Sequence, residues 1–199
     1  MLDTKTKEGL ITNSGWLHDG VWPWLAGLHA IANEWLGNND KALDELYAFA
    51  NHASTAGTWV EEQLTRDSGS RTTGDASNSE ASATFLHVVR NLIAHEHGND
   101  LELLTCIPEQ WLAHNARIEL NNCMSEFGPL SLKLRISADG RTADLFVSGI
   151  DGRARNGRPK VILESLKRQG FRFRNGNSLP DTLNGSWGHT INLMFVRPS

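Results

Sequence analysis

Two adjacent carboxylates follow a tryptophan in Gly57-Thr58-Trp59-Val60-Glu61-Glu62-Gln63, directly ahead of a long polar stretch. Carboxyl groups flanking a glycosidic bond can hydrolyse it, one protonating the leaving oxygen while the other activates water or attacks directly. Tryptophan faces complement the C–H faces of sugar rings, so the combination points towards carbohydrate. Neighbouring residues project in different directions, however, and composition alone favours two solvated acids. Trp22, Trp24, Trp35 and Trp59 crowd the first part of the chain. Trp24 and Trp35 fall on an apolar helical stripe and read as core. Trp22, beside Asp19 and Pro23, and Trp59, beside the carboxylates, read equally as core or as binding surface. Asp75 and Asn78 are within reach of sugar hydroxyls, although turn and cap bonding accounts for them slightly better.

Other chemistry finds less support. His95-Glu96-His97 is expected at the end of a helix, where residues two apart diverge; a helical zinc motif needs histidines four apart. No metal site and no cofactor is therefore expected. Cys106 and Cys123 are the only cysteines and match no disulfide framework or zinc spacing, a mild preference for a reducing compartment and so for the cytoplasm. No nucleophile elbow, P-loop or dinucleotide-binding glycine pattern is present, and Arg153-Ala154-Arg155-Asn156-Gly157-Arg158 reads as a solvated basic loop.

The elements that must position these groups change character along the chain. Trp24, Leu25, Leu28, Ile31, Ala32 and Trp35 recur at helical spacing, and Gly37-Asn38 closes that run as a C-cap. A second helix follows from Asn39 or Asp40 with Ala42, Leu43, Leu46, Phe49 and Ala50 on one stripe, making an antiparallel hairpin with the first. Residues 64–79 read as a long loop. Ser77-Asn78-Ser79-Glu80 opens a third helix through Ala81, Phe85, Val88, Val89, Leu92 and Ile93 to His97-Gly98. From Ala116 the period is two: SLKLRIS and TADLFVSG flank an Asp139-Gly140 turn, and PKVILESL, GFRFRNG and GHTINLMFV supply more strands. The expected domains are a helical region over 1–114 and a small antiparallel β-sandwich over 115–199.

A chain of 199 residues with 39% hydrophobic and 21% charged residues can bury a core and is not of disordered composition. Residues 1–128 carry 7 Lys/Arg against 18 Asp/Glu, and 129–199 carry 12 against 5, so the two parts differ in charge sign. Neither a signal-peptide core nor a run of about 18 apolar residues occurs, so no membrane association is expected. The basic second part is read as facing acidic helices rather than nucleic acid.

With those residues in place, the order of motifs resembles the end of the six-hairpin (α/α) glycosidase superfamily, including its glucoamylase-like branch. HDGVWPWLAGLHAIANEWLGNNDKALDEL resembles a late barrel hairpin with aromatics at the rim, and GTWVEEQ resembles the motif in which a glutamate before glutamine is the catalytic base. GDASNSEASATFLHVVRNLIAHEHGNDLELLTCIPEQWL resembles the last barrel helix and following strand, and EFGPLSLKLRISADG the opening of a C-terminal β-sandwich. The likeness spans most of residues 15–196. Relatives place a His and a Trp before the last helix, where this chain has Asn78 and Glu80. The resemblance implies an α+β chain: helical hairpins from an incomplete (α/α) toroid, then the sandwich. It assigns Glu62 as general base of an inverting hydrolysis, with Glu61 as substitute and Trp22, Trp24 and Trp59, with Asp19, Asp75 and Asn78, as sugar contacts. The proton donor of such barrels belongs to an earlier hairpin, so a missing N-terminal part of the parent or a second copy of the chain is an expected partner beside carbohydrate. The alternatives are a non-catalytic carbohydrate-binding module and a structural module docking on a separate N-terminal half.

Overall fold

The computed structural model describes residues 5–13, 15–149, 159–184 and 190–197, which leaves the basic loop around Arg153–Arg158 outside the described residues. The chain divides into two compact units, Met1–Asn91 and Leu92–Ser199.

In the first unit, β1 (Thr6–Lys7) and β2 (Leu10–Ile11) pair antiparallel, and β3 (Gly20–Val21) leads into helix α1 (Pro23–Trp35). Pro23 sits at the first helical position, where its missing N–H costs nothing. Gly37 (φ 73°) ends α1: its N–H donates to the Glu34 carbonyl at 3.0 Å and the Asn38 N–H to the Asn33 carbonyl at 2.9 Å, the paired bonds of a Schellman cap. Helix α2 (Asn39–Asn51) follows at once and packs on α1. Next come β4 (Glu62–Leu64), a 3-10 turn at Arg66–Ser68, β5 (Thr72–Thr73) and helix α3 (Ser79–Ile93). The antiparallel order is β3-β4-β5, with Glu62 opposite Thr73 and Leu64 opposite Gly20.

The buried face of α1 is the one with small side chains. Ala26, Gly27 and Ala30 are buried, whereas Leu28 and Trp35 on the expected apolar stripe are 41% and 51% exposed. Close approach decides this: a Cβ on Gly27 would stand 2.5 Å from Thr84 Cγ2 and 2.6 Å from Phe49 Cε1, so neither α2 nor α3 leaves room for a larger residue there. The same face buries polar groups between the helices. Asn33 Nδ2 donates to Glu45 Oε2 at 3.0 Å, and His29 Nδ1 lies 2.7 Å from Glu45 Oε1. Burial raises the Glu45 carboxyl, against the pull of Asn33 and His29.

The second unit continues from α3 with β6 (Ala94–His97) and β7 (Asp100–Leu103), a 3-10 turn at Glu109–Leu112, and the long strands β8 (Arg117–Ser125), β9 (Gly128–Ile136) and β10 (Thr142–Ser148). Then come β11 (Pro159–Ile162), helix α4 (Glu164–Arg168), β12 (Arg172–Phe173), β13 (Thr182–Asn184) and β14 (Thr190–Val196). One sheet runs β12-β14-β10-β9-β8 and is antiparallel throughout. The other runs β13-β11-β7-β6 and contains a parallel β7–β11 pair. Both contribute to one apolar core, Leu101, Leu103 and Val161 from one sheet meeting Leu132, Leu134, Leu145 and Phe195 from the other. The Asp139-Gly140 hairpin forms as its residues require: Gly140 adopts φ 69°, and Asp139 Oδ1 accepts from the Arg141 N–H at 2.9 Å.

The α+β character therefore holds, and the helical toroid does not. The expected loop over 64–79 contains β5 and pairs with the carboxylate strand, so a small three-stranded sheet separates α2 from α3 where consecutive hairpins were expected. The second part likewise departs from a purely antiparallel sandwich through its parallel pair, and the last three residues of the expected PKVILESL strand, Glu164–Leu166, belong to the helix Glu164–Arg168. Helix α3 ends at Ile93 instead of His97, because Ala94–His97 pair in register with Asp100–Leu103. Among the described residues no helix is long and apolar enough to cross a membrane.

Candidate functional site

Glu62 is the least exposed carboxylate among the described residues of the first unit. It is fully buried, and both of its oxygens are used: Oε2 accepts from the Trp16 N–H at 2.8 Å and Oε1 from the Leu17 N–H at 3.0 Å. Glycines clear the space around it. A Cβ on Gly15 would collide with the Glu62 carboxyl group, and one on Gly20 would stand 2.9 Å from Oε1. Strand β4 thus inserts a carboxyl side chain under the turn 15–20 and ties it to the backbone there.

That tie presents an aromatic row. Trp16 is 66% exposed as a residue, and its ring stacks on Trp22 with centroids 5.1 Å apart and planes at 28°. Trp24 continues the row, 5.7 Å from Trp22 and tilted by 59°. Trp22 and Trp24 are half-buried, Trp24 against the core cluster of Leu10, Val21, Phe49 and Trp59. Beside the row, Asp19 takes a left-handed conformation (φ 61°), its N–H donating to Asn13 Oδ1 at 2.8 Å. The Lys7 ammonium, 3.3 Å from Asp19 Oδ1, holds its carboxyl below the usual range, and His18 adds to this.

The remaining candidates sit elsewhere. Trp59 is core: its Nε1 donates to the Phe49 carbonyl at 2.8 Å and its ring packs on Phe49 and Phe85. Glu61 alternates to the other side of the strand, where Oε2 accepts from the Asp75 N–H at 3.0 Å and its own N–H donates to the Asp75 carbonyl at 2.8 Å. Asn78 caps α3, with Oδ1 accepting from the Ala81 N–H at 2.7 Å. Asn78→Ala should therefore lower stability by about 1 kcal/mol, read as a shifted urea midpoint at constant slope. A separate groove of about 350 Å³ is lined by residues that include Glu8, His52, Gln63, Arg66 and Arg71.

The structure thus links Glu62, through the Trp16 amide, to the row that holds Trp22 and Trp24, pairs Asp19 with Lys7 and His18, and assigns Trp59, Glu61, Asp75 and Asn78 to packing, turn and cap contacts. Trp16 was missed in the sequence, since it belongs to no periodic segment; its place depends on a hydrogen bond to a residue 46 positions away. Compared with protein-family models, curated proteins and solved structures, the chain matches none of them.

Proposed function

We propose that the chain binds carbohydrate on the Trp16–Trp22–Trp24 row as part of a glycoside hydrolase-like protein, with Glu62 positioning the row. The observation that supports this reading is the exposed Trp16 ring stacked on Trp22 and held by a buried carboxylate. An exposed, pre-stacked indole costs little entropy on binding and offers a flat apolar face to a pyranose ring. A panel of α- and β-linked oligosaccharides should quench tryptophan fluorescence of the intact chain. Trp16→Ala should weaken the best of them at least tenfold, about 1.4 kcal/mol, with little change in unfolding midpoint because the ring is exposed. Binding unaltered by Trp16→Ala, or no binding across the panel, would defeat the proposal.

The hydrolytic reading, in which Glu62 is the general base of an inverting reaction and Glu61 its substitute, draws on one further fact: the Glu62 carboxylate lies a single backbone segment away from the aromatic row. To reach a water molecule, Gly15–Leu17 must lift from it, because both oxygens are taken and none of its surface is exposed. The proton donor would be a second carboxyl about 6.5–9.5 Å from Glu62.

A further inference from the structure

We propose that the β6–β7 hairpin of the second unit binds a divalent ion of the zinc class through His95, His97 and Glu102. The extended conformation of Ala94–His97 reverses what a helix would do with the sequence His-Glu-His: residues two apart on a strand share a face. His95 pairs directly with Glu102 across the ladder, and His97 lies diagonal to it, next to the two-residue turn at Gly98-Asn99. All three side chains therefore converge, and one donor atom from each lies within 4.8 Å of the other two.

The separations suit a small cation. His95 Nε2 stands 3.5 Å from Glu102 Oε2, and His97 Nδ1 stands 3.5 Å from Glu102 Oε1. Two ligands at about 2.0–2.1 Å from a tetrahedral zinc ion stand about 3.4 Å apart, which matches each histidine–carboxylate separation, and the donor atoms of all three residues lie within 4.8 Å of one another before an ion draws them in. Thr105 supplies an outer partner: its hydroxyl lies 3.2 Å from His95 Nδ1 and can accept that ring proton, which orients Nε2 towards Glu102. The ligands grade from inside to outside, with His95 2% exposed, Glu102 15% and His97 50%, so the site is anchored within the fold and open on one side.

Two imidazoles and one carboxylate favour Zn²⁺ and its transition-metal neighbours over Mg²⁺ or Ca²⁺, which prefer all-oxygen shells. Lys160 is the competing cation, with Nζ 3.9 Å from Glu102 Oε1. That oxygen also faces His97, but Lys160 is held more closely by Asp100, at 2.6 Å, and the other oxygen, Oε2, faces His95.

Titration calorimetry of the full chain with Zn²⁺ should show one site, with Mg²⁺ and Ca²⁺ giving no heat above dilution. His97→Ala and Glu102→Gln should each weaken Zn²⁺ at least tenfold, whereas His87→Ala, an exposed histidine outside the hairpin, should leave it unchanged. The Co²⁺-loaded chain should show a visible band that is lost in His97→Ala. His97 is exposed next to a turn, so this variant folds even if Glu102→Gln does not. Equal Zn²⁺ affinity in the parent and His97→Ala, or no site in the parent at 100-fold excess metal, would overturn the proposal. Because the hairpin belongs to the second unit, neither outcome bears on sugar binding at the tryptophan row.

Discussion

Raising the pH from 5 to 8 should cost the protein about 2–4 kcal/mol of stability, and Glu34→Gln should remove most of that slope. Glu34 lies in the last turn of α1, 3% exposed, with neither carboxyl oxygen in a hydrogen bond. Burial pushes its pKa up to about 8 from 4.5; the Asn91 side chain opposes the shift without reaching hydrogen-bond geometry. Between those two values the folded chain keeps a proton that the unfolded chain has released. The folded state therefore binds more protons, and stability falls as pH rises through the window, fully present below about 4.5 and lost by about 8. Glu45, raised in the same direction by burial, leaves a residual slope in the variant. Glu34→Leu, which removes the unbonded carboxyl altogether, should be more stable than the parent at pH 8. Urea unfolding at half-unit pH steps measures all three chains; an unchanged slope in Glu34→Gln would contradict this account.

Glu62→Ala should be the most damaging single substitution in the first unit, at about 3–5 kcal/mol. It leaves the buried Leu17 amide and the partly buried Trp16 amide without their acceptor, and it opens a void beneath two glycines. Glu62→Gln keeps the volume but turns an NH2 group towards an N–H donor, so about 1–3 kcal/mol is expected. The two readings of Glu62 diverge here. If the carboxylate positions the aromatic row, glycan affinity and stability fall together, and emission from the exposed Trp16 shifts with them. If it is a general base, a parent protein with hydrolytic activity loses turnover by a factor of about 100 or more in Glu62→Gln while binding persists. Thermal unfolding and a binding isotherm on the same variant separate these outcomes.

How legible the molecule was depended on the range of the interactions concerned. The Schellman cap at Gly37-Asn38, the start of α3 at Asn78, the Asp139-Gly140 hairpin and the alternating strands 128–136 and 142–148 were all readable, because each is decided by residues within about six positions. The face that α1 buries was not. Large apolar side chains normally turn inward, yet here Phe49 and Thr84 come so close that only Gly27 and its small neighbours fit. Nor was the strand at 94–97, where helical periodicity ran on past Ile93 but the ladder to 100–103 prevailed, reversing the geometry of His95 and His97.

The amino-acid sequence by itself determined the α+β content, the change of charge between the two parts, the caps and turns, and the presence of tryptophans and carboxylates in one segment. Only the tertiary structure decided what those groups do. It placed Glu62 under the Trp16 amide, 46 residues away, and set Trp59 in the core and Trp16 at the surface. It also set Glu102 opposite His95. The physical reason is that residue type and local spacing specify backbone conformation within a turn or two, whereas burial and the pairing of polar groups depend on which distant segment supplies the neighbour.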